Sequence, residues 1–196
     1  MFDKIFVKTY SAPETDEREI LRYAGCKDSG DENVTVLLHS CLAEGKDSFS
    51  YRVCYRVFER ETLLSHCPYE EVKKRLENCQ YAVLFSATVG LGIDRLIGRY
   101  LGTVPARALM FQAMGAERIE ALCNRFCAEV KEGAKSKGYA CLPRFSPGYG
   151  AFPLEAQKSV FPLLDCARQI GLTLNDSLLM TPTKSVTAII GISEIK

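Results

Sequence analysis

The chain has 196 residues, of which 47% are hydrophobic and 25% charged, and its formal net charge is +1. That length holds one domain with a full core or at most two small ones, and the near-neutral balance gives no bulk reason to expect nucleic acid or an anionic membrane as partner. Met1-Phe2-Asp3-Lys4 opens no charged-then-apolar leader, and no run of about 18 apolar residues follows, so a cytoplasmic protein without a membrane partner is expected.

Residues 13–24 read as a helix. Ile20, Leu21 and Ala24 form a short apolar stripe, charged residues fill the other side, and Gly25 is the stop. A polar loop over 27–33 leads to Val34-Thr35-Val36-Leu37-Leu38, whose period fits a short strand or the start of a helix reaching Leu42. After a turn at 45–48, Tyr51, Val53, Tyr55 and Val57 alternate with Arg52, Cys54, Arg56 and Phe58, which predicts a strand with one apolar and one mixed face. The two arginines on the mixed face predict a sheet partly open to solvent and paired antiparallel.

Pro68 stands at a first helical position, with Glu70 and Glu71 complementing the dipole, and the helix runs to about Asn78 with Val72 and Leu76 inward. Tyr81 to Val89 is a nearly continuous apolar run, which predicts a central strand. It breaks at Gly90-Leu91-Gly92 before a helix from Asp94 towards Leu101. The dinucleotide fingerprint needs a third glycine where Arg95 stands, and no Lys-Ser/Thr pair follows for a phosphate loop. A tight strand-to-helix turn remains, with Thr88 and Asp94 as residues that could line a site.

Pro105 opens the longest helical pattern. Leu109, Met114, Ile119, Leu122, Cys123, Phe126 and Val130 are its apolar positions, Gly133 to Gly138 ends it, and Gly115 marks a kink or a close contact. Tyr139 to Leu142 is a short strand. A helix over about 154–170 follows, with Val160, Phe161 and Leu164 as core and a bend expected at Pro162. Gly171 caps it, 172–174 is a brief strand, 180–185 a Pro-containing loop, and 186–192 a β-branched closing strand. The irregular alternation predicts a single α+β domain over 1–196, built on an antiparallel or mixed sheet.

Nine cysteines are scattered without a C-x-x-C motif. Cys123 and Cys127 share a helix face, but no second pair or nearby His completes a tetrahedral set, so buried reduced thiols and no metal site are expected. A cysteine-dependent transferase would rest on the thiol count alone. His39 and His66 sit in loop-like contexts without a nucleophile at suggestive spacing.

The stretch Pro143 to Pro153 organises the chain. Its glycines permit positive φ, its prolines stiffen it, and between them stand the Arg144 guanidinium and the Tyr149 phenol. A planar donor fork beside a flat ring suits a small zwitterionic or anionic ligand, although a stiff turn with an accidental arginine has the same composition.

Arg144-Phe145-Ser146-Pro147-Gly148-Tyr149, read as R-x-x-P-G-Y, resembles the S-adenosylmethionine-binding signature of the activation domain of cobalamin-dependent methionine synthase. Upstream, Ala116-Glu117-Arg118-Ile119-Glu120-Ala121 resembles that domain's long helix. Downstream, Ile170-Gly171-Leu172 and Met180-x-Pro182-x-x-Ser185-Val186 match it in order and spacing. The likeness is greater to free-standing relatives with R-F-S-P-G-Y-G and a K-S-V-T-A-I-I-G-I ending. It covers roughly 60–196, and residues 1–60 match only vaguely, around Glu19 to Gly25.

The resemblance implies an activation-domain-like fold and an accessory subunit for reductive reactivation of a cobalamin-dependent methyltransferase, with S-adenosylmethionine as the methyl donor that restores methylcobalamin. It places cobalamin on a separate corrinoid-binding methionine synthase or methyltransferase and implies a flavodoxin-like electron donor. The chain has no room for the homocysteine, folate and cobalamin modules and no D-x-H-x-x-G motif, so it is expected to act in trans. Carried over by position, Arg144 would pair with the ligand carboxylate, backbone of Pro147 and Gly148 would hold adenosine or the amino acid, and Tyr149 would lie near the methyl-sulfonium and the corrin. Glu120 would take the ammonium or a hydroxyl, with Asn124 as the fallback. Gly150 stands where the methionine synthases have Pro, and Ala151 where the free-standing relatives tend to have Asp. The alternative implied is a non-catalytic S-adenosylmethionine- or corrinoid-protein-binding module.

Overall fold

The computed structural model describes residues 4–26 and 31–195; the expected leader-free start at 1–3 and most of the expected loop at 27–30 lie outside the described residues. In chain order the elements are β1 (Phe6–Tyr10), α1 (Glu17–Tyr23), α2 (Glu32–Gly45), β2 (Tyr51–Glu59), α3 (Arg60–His66), α4 (Glu70–Arg75), β3 (Tyr81–Thr88), α5 (Gly92–Leu101), α6 (Pro105–Lys135), β4 (Tyr139–Cys141), a 3-10 turn (Leu154–Ala156), α7 (Gln157–Leu164), α8 (Cys166–Ile170), β5 (Thr173–Leu174), β6 (Met180–Thr181) and β7 (Ser185–Glu194).

Five strands form one antiparallel sheet in the order β1-β2-β3-β7-β4, and β5 pairs with β6 separately. The register sets Tyr55 opposite Phe85 and Phe85 opposite Ala188, so their side chains share one face. That face carries Val53, Val83, Phe85 and Ile190 into a core with α1, α2, α5 and α6, where the Phe85 and Phe126 rings lie 4.8 Å apart. The other face carries Cys54, Phe58, Leu84 and Ile189 into a second core with α3, α4, α7 and α8. Helices therefore cover both faces. The expected solvent-open face of β2 is corrected, because Cys54 and Phe58 are buried under α3 and α8.

Several boundaries differ from the sequence expectation for physical reasons. The helix expected from Pro13 begins at Glu17, where the Asp16 carboxylate accepts from the Glu19 amide at 3.1 Å. The ambiguous run at 34–38 is helical, because Asp31 caps α2 by accepting from the Asn33 amide at 2.9 Å. β1 and α3 have no counterpart in the sequence expectation, and His39 and His66 lie in helices, not loops. The helix expected over 154–170 is a 3-10 turn followed by two helices that part at Asp165, where φ is +46°. Pro162 has no amide to bond the preceding turn, and α7 ends two residues beyond it. Leu109, expected in the core, is 52% exposed.

The segment Ser11–Asp16, between β1 and α1, is a strap across α6. Arg125 donates to the Ser11 carbonyl at 3.2 Å, and Arg118 donates to the carbonyls of Pro13 and Glu14 at 2.8 and 2.7 Å. Glu117 accepts from the Asp16 amide at 3.3 Å and from Arg118 at 2.6 Å, and the side chains of this pair are each 5% exposed. Three residues of α6 thus fix the path by which the chain enters α1. No helix among the described residues is long and apolar enough to cross a membrane.

Candidate functional site

The opening loop is less free than its composition suggests. Phe145 exchanges two backbone hydrogen bonds with Ile189, at 3.0 and 2.9 Å, so residues 143–145 continue the edge of the sheet after β4. Strand alternation then sends Phe145 into the second core and leaves Arg144 on the opposite face, towards α6. Beyond it the Gly148 amide donates to the Phe152 carbonyl at 2.8 Å, and Phe152 is buried against Phe145 at 5.8 Å. Gly148 has φ of +88° and Gly150 of +59°. The loop is a closed turn pinned at both ends by phenylalanines.

Three of the expected site residues meet. Arg144 Nη2 donates to Glu120 Oε2 at 2.5 Å and to Asn124 Oδ1 at 3.4 Å. Glu120 and Asn124 lie one turn apart on α6 and present neighbouring side chains to the guanidinium. The Arg144 side chain is 22% exposed and Glu120 is 42% exposed. Arg144 Nη1 is buried and has no hydrogen-bond partner. The other expected residues stand apart from this cluster. Pro147 is buried, Gly148 is exposed, and Tyr149 is 76% exposed at the loop tip without a hydrogen bond to the Arg144 group.

Glu120 and Asn124 also line a cleft of about 780 Å³ between α1 and α6. Its opposite wall is the strap and the first turn of α1, with Glu14, Asp16 and Glu19; Glu117 completes the α6 side. Arg18 is the only basic residue among the described lining residues, but Arg22, Arg118 and Arg144 pair with Glu19, Glu117 and Glu120 from outside it, so the excess negative charge that favours a cationic ligand rests on Glu14, Asp16 and Glu17. Reading by motif missed this wall. Its signal was the acidic run Glu14, Asp16, Glu17 and Glu19, which looks like the solvated face of a helix until α6 is set against it.

Other candidates serve the fold. Thr88 accepts from Ser185 Oγ at 2.8 Å and from the Gly90 amide at 3.2 Å, while Asp94 accepts from the Thr183 amide and hydroxyl at 2.8 and 2.5 Å. Thr88 thus ties β3 to the start of β7, and Asp94 ties α5 to the segment before it. At Gly92 an added Cβ would stand 2.2 Å from the Ser48 carbonyl oxygen, so the GxG turn answers to packing. The close contact expected at Gly115 is present: a Cβ there would stand 2.8 Å from Lys184 Cγ, and α6 continues past it. Burial pushes the Cys67 thiol up to about 11 and Cys123 up to about 12, away from reactive thiolates. Hydrogen bonding to Cys54 holds Cys166 low, but that pair is buried behind the sheet, with Cys166 Sγ 3.2 Å from Ser86 Oγ. Nothing there supports a cysteine nucleophile.

Comparison with known proteins agrees with the fold. Residues 65–194 match the family model described as vitamin B12 dependent methionine synthase, activation domain. No curated protein matches the chain. Among solved structures the chain resembles the MetH reactivation domain, crystallised bound to AdoHcy, with a TM-score of 0.66 and 14% identity over 96% of this chain and 78% of that one. The fold likeness therefore takes in the residues before 60 that the sequence motifs matched only vaguely.

Proposed function

Because the chain belongs to the family of the vitamin B12 dependent methionine synthase activation domain, we propose that it binds S-adenosylmethionine in the cleft between α1 and α6 and serves the reductive reactivation of a cobalamin-dependent methyltransferase. The observation that carries this reading is the meeting of Arg144, Glu120 and Asn124 at the rim of an acidic cleft. A guanidinium fork takes the ligand's carboxylate, and Glu120 takes its ammonium, both charge-assisted contacts. The acidic walls suit a ligand that carries a sulfonium beside that ammonium. In this proposal the carbonyls of Pro147 and Gly148 and the exposed Tyr149 ring would be brought to the ligand by the loop, with Tyr149 towards the partner's corrin.

Neither His39 nor His66 stands in a D-x-H-x-x-G cobalamin-ligand motif. In this proposal cobalamin, which accepts the methyl group, is carried by a separate corrinoid-binding methionine synthase or methyltransferase, and a flavodoxin-like protein supplies the electron. Calorimetry with S-adenosylmethionine is the test of the first step. Wild type should bind, and Arg144→Ala should weaken binding by about 10- to 100-fold, the scale of a lost charged hydrogen-bond pair. Absence of binding by the wild-type protein would overturn the reading.

One observation favours the alternative of a non-catalytic binding module. Ala151 is exposed on the turn and supplies no polar group beside Tyr149. Ligand binding with an unchanged corrin spectrum, when partner, reductant and S-adenosylmethionine are combined, would establish that alternative.

A further inference from the structure

On the reading that the cleft takes an S-adenosyl amino acid, we infer that the Arg144–Glu120 ion pair is a self-occupied clamp that the ligand opens by exchange. The ligand's carboxylate takes Arg144 while its ammonium takes Glu120, which makes Glu120 a specificity-determining residue. Arg144 spends one nitrogen, Nη2, on Glu120 at 2.5 Å and on the weaker Asn124 contact at 3.4 Å. Its Nη1 is buried without a hydrogen bond, so the fork is half used. Arg is built to meet a carboxylate with two parallel bonds, and the internal pair supplies one. Glu120 is the more exposed member and can swing into the cleft that it already lines.

The charges decide which ligands can open the pair. A zwitterionic amino acid breaks one ion pair and makes two. A ligand with a carboxylate but no ammonium takes Arg144 and strands Glu120 in the cleft that the Glu14 and Asp16 carboxylates also line. A ligand with an ammonium but no carboxylate takes Glu120 and strands a guanidinium that is only 22% exposed. Separating a partly buried pair so that one charge is left alone is unfavourable. The closed pair therefore discriminates for the intact amino-acid end, beyond any contact to adenosine.

The test is calorimetry of wild type and E120Q with S-adenosylhomocysteine, its deamino analogue and its decarboxylated analogue. Wild type should bind S-adenosylhomocysteine at least about tenfold more tightly than either analogue. In E120Q, where Arg144 has no anionic competitor, the deamino analogue should gain about tenfold while the decarboxylated analogue stays weak. The substitution is isosteric at a half-exposed position, and matching circular dichroism and thermal midpoints establish that E120Q is folded. If wild type binds S-adenosylhomocysteine but the deamino analogue gains nothing in E120Q, the exchange is overturned and the binding reading stands. If wild type binds none of the three, the binding reading falls and the exchange with it.

Discussion

At the scale of single residues, the loop after β4 depends on backbone conformations that its sequence allows and most sequences do not. Gly148 at φ +88° lies in the left-handed region, and a Cβ there would also stand 3.1 Å from Leu154 Cδ1. Gly148→Ala should therefore destabilise the protein by about 1–2 kcal/mol, the cost of that conformation for an L residue, with the Leu154 contact added. Urea denaturation followed by circular dichroism measures it. A change within about 0.3 kcal/mol would mean that the turn relaxes without cost. Gly150 has φ of +59°, a value that proline cannot adopt, so the Pro carried there by the methionine synthase signature requires a different backbone at that point. The side chains were legible unequally. Arg144 could be picked by residue type and Glu120 and Asn124 only through the family resemblance, and the three do meet, but that Glu120 already holds Arg144 depends on how the edge of the sheet is set against α6, which no local pattern contains.

At the scale of elements, α6 is the spine of the site. Its 31 residues pack on the sheet with one face, and with another they hold the strap and the cleft wall through Glu117, Arg118 and Arg125. Arg118 is buried and neutralises Glu117 while bonding two strap carbonyls, so Arg118→Met leaves a buried carboxylate and two carbonyls short of donors. A loss of about 3–5 kcal/mol is expected, the range for breaking a buried pair from one side. The double variant E117M/R118M should lose less than the sum of the two single changes, because no charge is then stranded. Additivity in a double-mutant cycle would show that the two side chains act independently. Elements with a clear period were legible: β2, β3, α5, α6 and β7 stand close to where alternation or helical spacing placed them. Those decided by tertiary contact were not. β1 exists by pairing with β2, and its one buried residue is Tyr10; β6 is two residues paired with β5 in a stretch whose pattern reads as loop, whereas β5 lies in the brief strand expected over 172–174.

At the scale of the whole molecule, the sheet with helices on both faces brings together three stretches remote in sequence: the strap and α1 near residue 16, α6 near 120, and the loop near 144. Composition and strand pattern reached the α+β class and the antiparallel pairing, but the second helical layer was hidden because Cys54 and Phe58 alternate with arginines on the mixed face of β2. A site assembled in this way exists only in the folded chain, so a ligand that fills it must stabilise the parts it joins, by about 2.7 kcal/mol at a hundredfold excess over Kd. The gain should not be spread evenly. α1 is a short helix with two buried residues, held to α6 by the strap, and its amides should open locally far more often than those of the central strands β3 and β7. Saturating S-adenosylmethionine should therefore slow hydrogen exchange in α1 by about tenfold or more, while local exchange in β3 and β7 changes little. Arg144→Ala, which removes the clamp and leaves the strap intact, should reduce the α1 protection at the same ligand concentration by about the factor by which it weakens binding. Ligand-dependent protection confined to the loop after β4, with α1 unchanged, would show that the acidic wall is not part of the binding site.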